Sequence, residues 1–517
     1  MNVEGSTQLL DCFLERARLH PERTLLHLEG ESKTYGEVLD EASRLARALQ
    51  ARGLVRGDRV LLLFENGGDQ VVSIYATLMA GGVIVLLHPQ TPARKIKFVL
   101  EDAEARFFLS EVRLAGSWVP ALEDASYPEE VIYFGSFAGQ PQARDYLSEW
   151  QLTSIEDPVP LQTRFEHEDL AALIYTSGST GEPKGVMQSH GSMAFSVWSL
   201  SSYLGYRSED RILCCLPLSF DYGLYQLFLT VQAGGELILL RSFSFPGQIL
   251  RALTQGGATV FPGVPTLFRI LEGLEKKQED GLVFPKVRIV TNTAAALTPD
   301  LLPGLHKMFP DAEIFSMYGL TECKRVSYMP PERLDSKPLS VGQPIPGTVA
   351  MILDEDGNEV PPGVVGRLHV RGRHVMQGYW QRPEESAAIL SSGDDPFERE
   401  LDTGDLFKRD EDGDLYFVSR SDDIIKTRGE KVSPLEVERV LQDLPMVEQA
   451  AVLGRPDPLL GEAIHAFVVL TEGQPLDPDP ILRALTGLLE PYMIPTSIHI
   501  LDRLPRSPNG KVDKHQL

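Results

Sequence analysis

The chain has 517 residues, 43% apolar and 24% charged, with 49 Lys and Arg against 73 Asp and Glu for a formal net charge of −24. These proportions exclude a mostly disordered chain and suffice for several domains, or one large and one small. A molecule this acidic repels nucleic acid and anionic lipid on average, so no nucleic-acid or membrane partner is expected, and any phosphate site must be built locally.

The four cysteines, Cys12, Cys214, Cys215 and Cys323, lack the spacing of a metal or disulfide framework and read as small buried hydrophobes in a reducing compartment. Met1 to Thr7 is polar, no signal peptide is visible, and no apolar run approaches the ~18 residues of a membrane span. A cytoplasmic enzyme is the expectation.

In chain order, Ser6 can cap a helix bearing Leu9, Leu10, Phe13, Leu14 and Ala17. Arg59 to Phe64 reads as a strand, Asp69 to Ala80 as a helix, Val83 to Leu87 as a strand, Pro92 to Ala103 as a helix and Arg106 to Leu109 as a short strand. This alternation predicts layered α/β structure with parallel strands. Segment 111–167 lacks a clear period and is expected to cross between two α/β halves. Ala171 to Tyr175 restarts the strand–helix alternation. Short runs from Gly342 to Arg373 suggest a small antiparallel region. After Ser419, helices over Ser433 to Leu441 and Pro478 to Leu489 alternate with strands over Gln449 to Leu453, His465 to Leu470 and Ser497 to Leu501. The expected fold is α/β: an N-terminal core of two layered halves over 1–421, then a small mobile α+β domain over 422–517.

The most informative segment is Y-T-S-G-S-T-G-E-P-K-G, residues 175–185. It follows the apolar run Ala171 to Ile174. Gly178, Gly181 and Gly185 let backbone N–H groups turn toward an anion. Thr176, Ser177, Ser179 and Thr180 add hydroxyls, and Lys184 adds a positive charge. The pattern is not the Walker loop.

This loop resembles the signature of the adenylate-forming superfamily, which comprises acyl-CoA synthetases, peptide-synthetase adenylation domains and luciferases. Further motifs follow in the same order: Y-G-L-T-E at 318–322, L-D-T-G-D at 401–405, S-R-S-D-D-I-I-K-T-R-G at 419–429 and P-R-S-P-N-G-K at 505–511. The resemblance implies two half-reactions. A carboxylate attacks the α-phosphate of ATP to give an acyl-adenylate and pyrophosphate; a thiol then attacks the acyl carbon and releases AMP. ATP and Mg²⁺ are the implied cofactors, and a phosphopantetheine thiol the acceptor.

It also implies residue roles. Lys511 bridges carboxylate and α-phosphate, Glu322 holds Mg²⁺, Tyr318 stacks on adenine and Thr321 contacts phosphate. Asp405 accepts from both ribose hydroxyls and Arg420 contacts the nucleotide. Asp422 is the hinge on which the small domain swings between half-reactions, and Gly429 lets a pantetheine arm pass. The family often has a Gly-rich turn at Val290 to Ala296; this copy has no glycine, so a less permissive backbone is expected there.

The segment F-D-Y-G-L-Y-Q at 220–226 resembles the acid-binding element of amino-acid-activating domains, and of free-standing L-prolyl-carrier-protein ligases in particular. Asp221 either pairs with a substrate ammonium or caps the helix that follows. By motif position Tyr222, Tyr225, Pro262, Thr293, Met317, Arg325 and Val326 line the pocket. The expected activity is ligation of a small carboxylic acid, an amino acid such as L-proline, to the thiol of a separate carrier protein. An acyl-CoA synthetase using coenzyme A on an aryl or short-chain acid is the alternative.

Overall fold

The computed structural model describes residues 9–123, 125–135, 147–148, 161, 165–177, 183–242, 245–278, 281–420, 423–427, 430–457, 460–486, 488–489, 492–507 and 511–517. Its fold is α/β, and the chain divides into two compact units. The first comprises Met1–Leu339, Pro344–Val349 and Val370–Leu401; the second comprises Ser340–Gln343, Ala350–His369 and Asp402–Leu517.

The first unit is built on two sheets. One runs in spatial order Leu147–Ser148, Glu130–Phe134, Phe107–Glu111, Arg59–Leu63, Val83–Leu87, Leu170–Ser177, Pro183–Ser189 and Gly378–Tyr379. Its strands are parallel as far as Leu170–Ser177, and the last two pair antiparallel. All five side chains of Val83–Leu87 are buried, as expected of a strand covered on both faces. At about 1.5–3 kcal/mol for each buried aliphatic side chain, such a run holds its place by burial alone.

The second sheet includes, in order, Ser327–Met329, Glu313–Tyr318, Ile289–Asn292, Val260–Gly263, Arg211–Cys214, Glu236–Leu239, Thr24–His27 and Ser32–Thr34. Its central pairs are parallel. The helices Gly68–Ala80 and Asp221–Ala233 are buried almost all round, and residues of both, with side chains of both sheets, form one large hydrophobic core. This matches their sequences, which are apolar without an amphipathic stripe.

Most expected elements of the first unit stand within a residue or two of their bounds. In the second, the strands Val447–Asp457 and Gly461–Leu470 run longer than expected and the helix Asp479–Leu485 is shorter. Segment 111–167, expected only to cross between two halves, also adds the strands Glu130–Phe134 and Leu147–Ser148 to the first sheet. Leu170–Ser177 leads not into a helix but into the antiparallel strand Pro183–Ser189, and only then into the helix His190–Leu204. The polar residues of 183–189 hid a strand whose partner is local. Ser6 lies outside the described residues; the first helix, Asp11–Leu19, has Leu10 at its N-cap position and no side-chain cap.

In the second unit, Leu415–Arg420 pairs antiparallel with residues 405–409 of the strand Arg399–Arg409. A five-stranded sheet contains Glu430–Val432, Ile425–Thr427, Gly461–Leu470, Val447–Asp457 and Ser497–Ile500. The last pairs parallel with Gly461–Leu470 and the remaining pairs are antiparallel. Val437 and Leu441 of the helix Pro434–Gln442 and Ile481 and Leu485 of Asp479–Leu485 close its core over Val452, Ile464 and Val468. Cys214, Cys215 and Cys323 are buried, Cys12 is half-buried, and none is in a disulfide. No helix among the described residues is long and apolar enough to cross a membrane.

Candidate active site

Two paired strands flank the 175–185 motif. Thr176 stands opposite Lys184, and Tyr175 opposite Gly185. Space at Gly185 is tight: a Cβ there would lie 3.1 Å from the Tyr175 ring. That ring is anchored by its hydroxyl, which donates to Asp102 Oδ2 at 2.6 Å, while Arg382 donates to Oδ1 at 2.7 Å and the Trp380 indole to the Asp102 carbonyl at 3.0 Å. Burial, then the Asp102 carboxylate, pushes the Tyr175 pKa far up. Ser177 ends the first strand; Gly178, Ser179, Thr180 and Gly181 lie outside the described residues.

The Y-G-L-T-E segment forms a tight return between Glu313–Tyr318 and Ser327–Met329. Gly319 has no room for a side chain, since a Cβ would lie 2.1 Å from the Lys324 carbonyl oxygen. The Thr321 carbonyl accepts from Gln188 Nε2 at 3.3 Å and from Lys324 Nζ at 3.0 Å. Glu322 is held twice: its carbonyl accepts from the Met376 N–H at 2.7 Å, and its Oε1 accepts from the Tyr379 hydroxyl at 2.9 Å. Tyr379 pairs with Val186 of the hairpin, and Lys184 Nζ stands 5.2 Å from the centre of its ring, ion-paired with Glu385. The first unit therefore brings Thr176, Lys184, Thr321 and Glu322 together through Tyr379.

Residues expected to line an acid pocket also lie in the first unit. Pro262 and Thr291 are register partners on neighbouring parallel strands. The Tyr222 hydroxyl donates to the Thr291 carbonyl at 2.8 Å, Arg325 donates to the Thr293 hydroxyl, and Tyr203 donates to Met317 Sδ at 3.1 Å. Tyr222, Tyr225, Thr293, Met317 and Val326 are buried. The capping alternative for Asp221 fails: the N-cap position belongs to Phe220, and Asp221 is the first helical residue, accepting from the Tyr222 N–H at 2.8 Å. A carboxylate there is favoured by the helix dipole. The glycine-free turn departs from expectation too, because Ala294 adopts φ 72°, a left-handed conformation that costs about 1–2 kcal/mol for a residue with a Cβ.

In the second unit Asp405 is buried on its strand and pairs across the ladder with Arg420, whose Nε lies 3.9 Å from Asp405 Oδ1. The side chain of Arg420 is half exposed. Lys511 is exposed, and its carbonyl accepts from the Ser507 N–H at 2.7 Å. Asp422 and Gly429 lie outside the described residues.

Two residues escaped the sequence reading. Tyr379 sits 57 positions from Glu322, and its only signal is the aromatic pair with Trp380 after Gly378. Lys324 is 4% exposed; its signal is a second cation beside Arg325 just before an apolar run. Burial pulls the Lys324 pKa down to about 8, against the opposing fields of Asp221 and Glu322. Burial, with the Lys324 ammonium adding, holds His374 neutral, its pKa pushed down to about 3.

The paired strands Leu170–Ser177 and Pro183–Ser189 and a carboxylate held by Tyr379 stand on a two-unit α/β scaffold, the fold of adenylate-forming enzymes. Residues 13–380 match the AMP-binding enzyme family, and residues 436–511 match the AMP-binding enzyme C-terminal domain; the chain belongs to this family. It is 31% identical over 513 residues to a 2-succinylbenzoate–CoA ligase of Bacillus velezensis, covering 99% of this chain and 98% of that one. It is 30% identical to a dimodular nonribosomal peptide synthase of Bacillus subtilis, covering 99% of this chain but 21% of the synthase. Among solved structures, the o-succinylbenzoate coenzyme A synthetase of Bacillus subtilis with ATP and magnesium ion superposes with a TM-score of 0.83 at 28% identity, covering 98% of this chain and 99% of that one.

Proposed function

We propose that this protein is an AMP-forming acyl-CoA synthetase, joining a small carboxylic acid to coenzyme A by way of an acyl-adenylate. The observation that carries the reading is the constellation Lys184–Tyr379–Glu322 at the base of the phosphate hairpin, in a chain that aligns with a CoA ligase over nearly the whole of both proteins. The carrier-protein acceptor and the L-proline substrate belong to a second reading, supported by the likeness to peptide-synthase modules.

The donor set fits a magnesium nucleotide. Mg²⁺ prefers carboxylate and phosphate oxygens, and Glu322 offers a carboxylate oriented through one oxygen by Tyr379. The bound cation would supply charge neutralisation at the phosphates. Thr176, Ser177, Gly178, Ser179, Thr180 and Gly181 would enclose the phosphates, with Lys184 exchanging Glu385 for phosphate oxygen. Tyr318 would stack on adenine and Thr321 would contact phosphate. Asp405 and Arg420 would hold the ribose and nucleotide, Lys511 would offset the charge of two approaching anions, and Asp422 and Gly429 would serve domain movement and the thiol arm. Tyr222, Tyr225, Thr293 and Met317 would enclose the acid, with Asp221 at the rim.

The test is acid-dependent exchange of labelled pyrophosphate into ATP over a panel of aryl, short-chain and amino acids, followed by thioester formation with coenzyme A or a phosphopantetheinylated carrier protein. Exchange with acids lacking an amine, and thioester on coenzyme A, is expected. Exchange with amino acids only, and thioester only on the carrier protein, would establish the second reading instead.

A further inference from the structure

Lys324 and Arg325 follow the Y-G-L-T-E turn, yet neither faces water: they are 4% and 6% exposed. Lys324 Nζ donates to the Thr321 carbonyl. Arg325 donates one N–H to the Thr293 hydroxyl and lies with its guanidinium carbon 5.4 Å from the centre of the Tyr222 ring. Its Nε is buried without a hydrogen-bond partner, and it makes no ion pair among the described residues. The hydrogen bond and the ring contact place the guanidinium beside Thr293 and the Tyr222 ring.

Among the described residues the local charge does not balance. Asp221 and Glu322 are the carboxylates whose fields reach Lys324. Glu322 is engaged by Tyr379 and is assigned above to the nucleotide. Asp221 then offsets one cation, and the second remains. The nearby His374 is neutral and adds no charge of either sign. A buried guanidinium with five donors and no carboxylate is costly unless an anion arrives from outside. A substrate ammonium, by contrast, would compete with Lys324 for Asp221 and meet the field of Arg325.

We propose that Lys324 and Arg325 form a subsite for a second anionic group, so that the acids this enzyme activates are dicarboxylic, the distal carboxylate binding between the two cations while the other reacts. The proposal rests on the ligase reading above and deepens it. Arg325 suits the task because its planar fork grips a carboxylate through two parallel hydrogen bonds.

The test is pyrophosphate exchange by the full chain on matched acids that differ by one carboxylate: succinate against butyrate, glutarate against valerate, phthalate against benzoate. A preference of at least about tenfold in kcat/KM for the diacid is expected in one pair or more. Arg325→Met should erase it by raising KM for the diacid far more than KM for the monoacid; Arg325→Lys should restore part of it. Lys324→Met, read in the same assay, keeps the test open should Arg325→Met not fold. Monoacids used as well as diacids in every pair, or an Arg325→Met loss shared equally by both acids, would overturn the subsite alone. Absence of exchange with any acid would overturn the ligase reading itself.

Discussion

Glu322 is oriented by a phenol rather than by another charge, and that choice has a measurable consequence. Tyr379→Phe removes one hydrogen bond to a carboxylate, an interaction of about 1.5–3 kcal/mol. Pyrophosphate exchange should fall about ten- to a hundredfold, with a higher Mg²⁺ requirement; an unchanged Mg²⁺ titration would separate Tyr379 from the metal role. Two buried histidines set an acid limit on stability. Burial pushes His190 down to about 4 and His374 to about 3, from 6.5. Between pH 6.5 and these values the unfolded chain binds protons that the folded chain does not, so stability is full above pH 6.5 and falls as pH drops through the window. Each contributes a slope of about 1.4 kcal/mol per pH unit. A His190→Phe, His374→Phe double variant should flatten urea-unfolding stability between pH 6.5 and 4, since both rings already stack on phenylalanine, Phe165 and Phe195. At this scale Glu322, Asp405 and Lys511 stood out as candidates because each sits in a short motif. Tyr379 was not, because its meaning is a contact over 57 residues. The strain at Ala294 was equally hidden, since nothing in its neighbours' chemistry announces a positive φ.

The helix Asp221–Ala233 carries Asp221, Tyr222 and Tyr225 and ends at Gly234 with φ 73°. Its placement depends on Gly223, where a Cβ would meet the Pro217 carbonyl oxygen at 2.2 Å. Gly223→Ala must therefore push the first turn away from that loop. It should destabilise the protein by about 1–3 kcal/mol, the usual cost of overpacking, and raise KM for the acid more than KM for ATP. Equal effects on both constants would place the damage in folding rather than in the pocket. Elements of this kind were readable: Val83–Leu87 is apolar throughout and Gly68–Ala80 matches its period. The strand Pro183–Ser189 was not, because half its residues are polar or small and its partner is the preceding strand, joined by the loop that carries the signature. Pairing with the neighbouring strand overrode composition there.

Across the molecule, 49 cationic side chains are outnumbered by 73 acidic ones, so each cation in a site matters. The division into two compact units splits the residues proposed for adenylate formation, with Glu322 in the first and Lys511 in the second. Lys511→Ala should lower pyrophosphate exchange by about a hundredfold, the effect of removing one well-placed charge, while sparing thioester formation from supplied acyl-adenylate. Gly429→Leu should do the reverse; damage to the same half-reaction by both would contradict alternate use of the second unit. The α/β class was legible in the alternation of periods, whereas the charge imbalance at Lys324 and Arg325 required the burial of each to be seen. The account as a whole is tested most directly by product analysis after incubating the protein with ATP, Mg²⁺, coenzyme A and a pool of small acids. AMP and pyrophosphate in equal amounts, matched by an acyl-CoA identified by mass and dependent on the acid, are the predicted products. ADP and orthophosphate, or nucleotide cleavage indifferent to the acid, would contradict it.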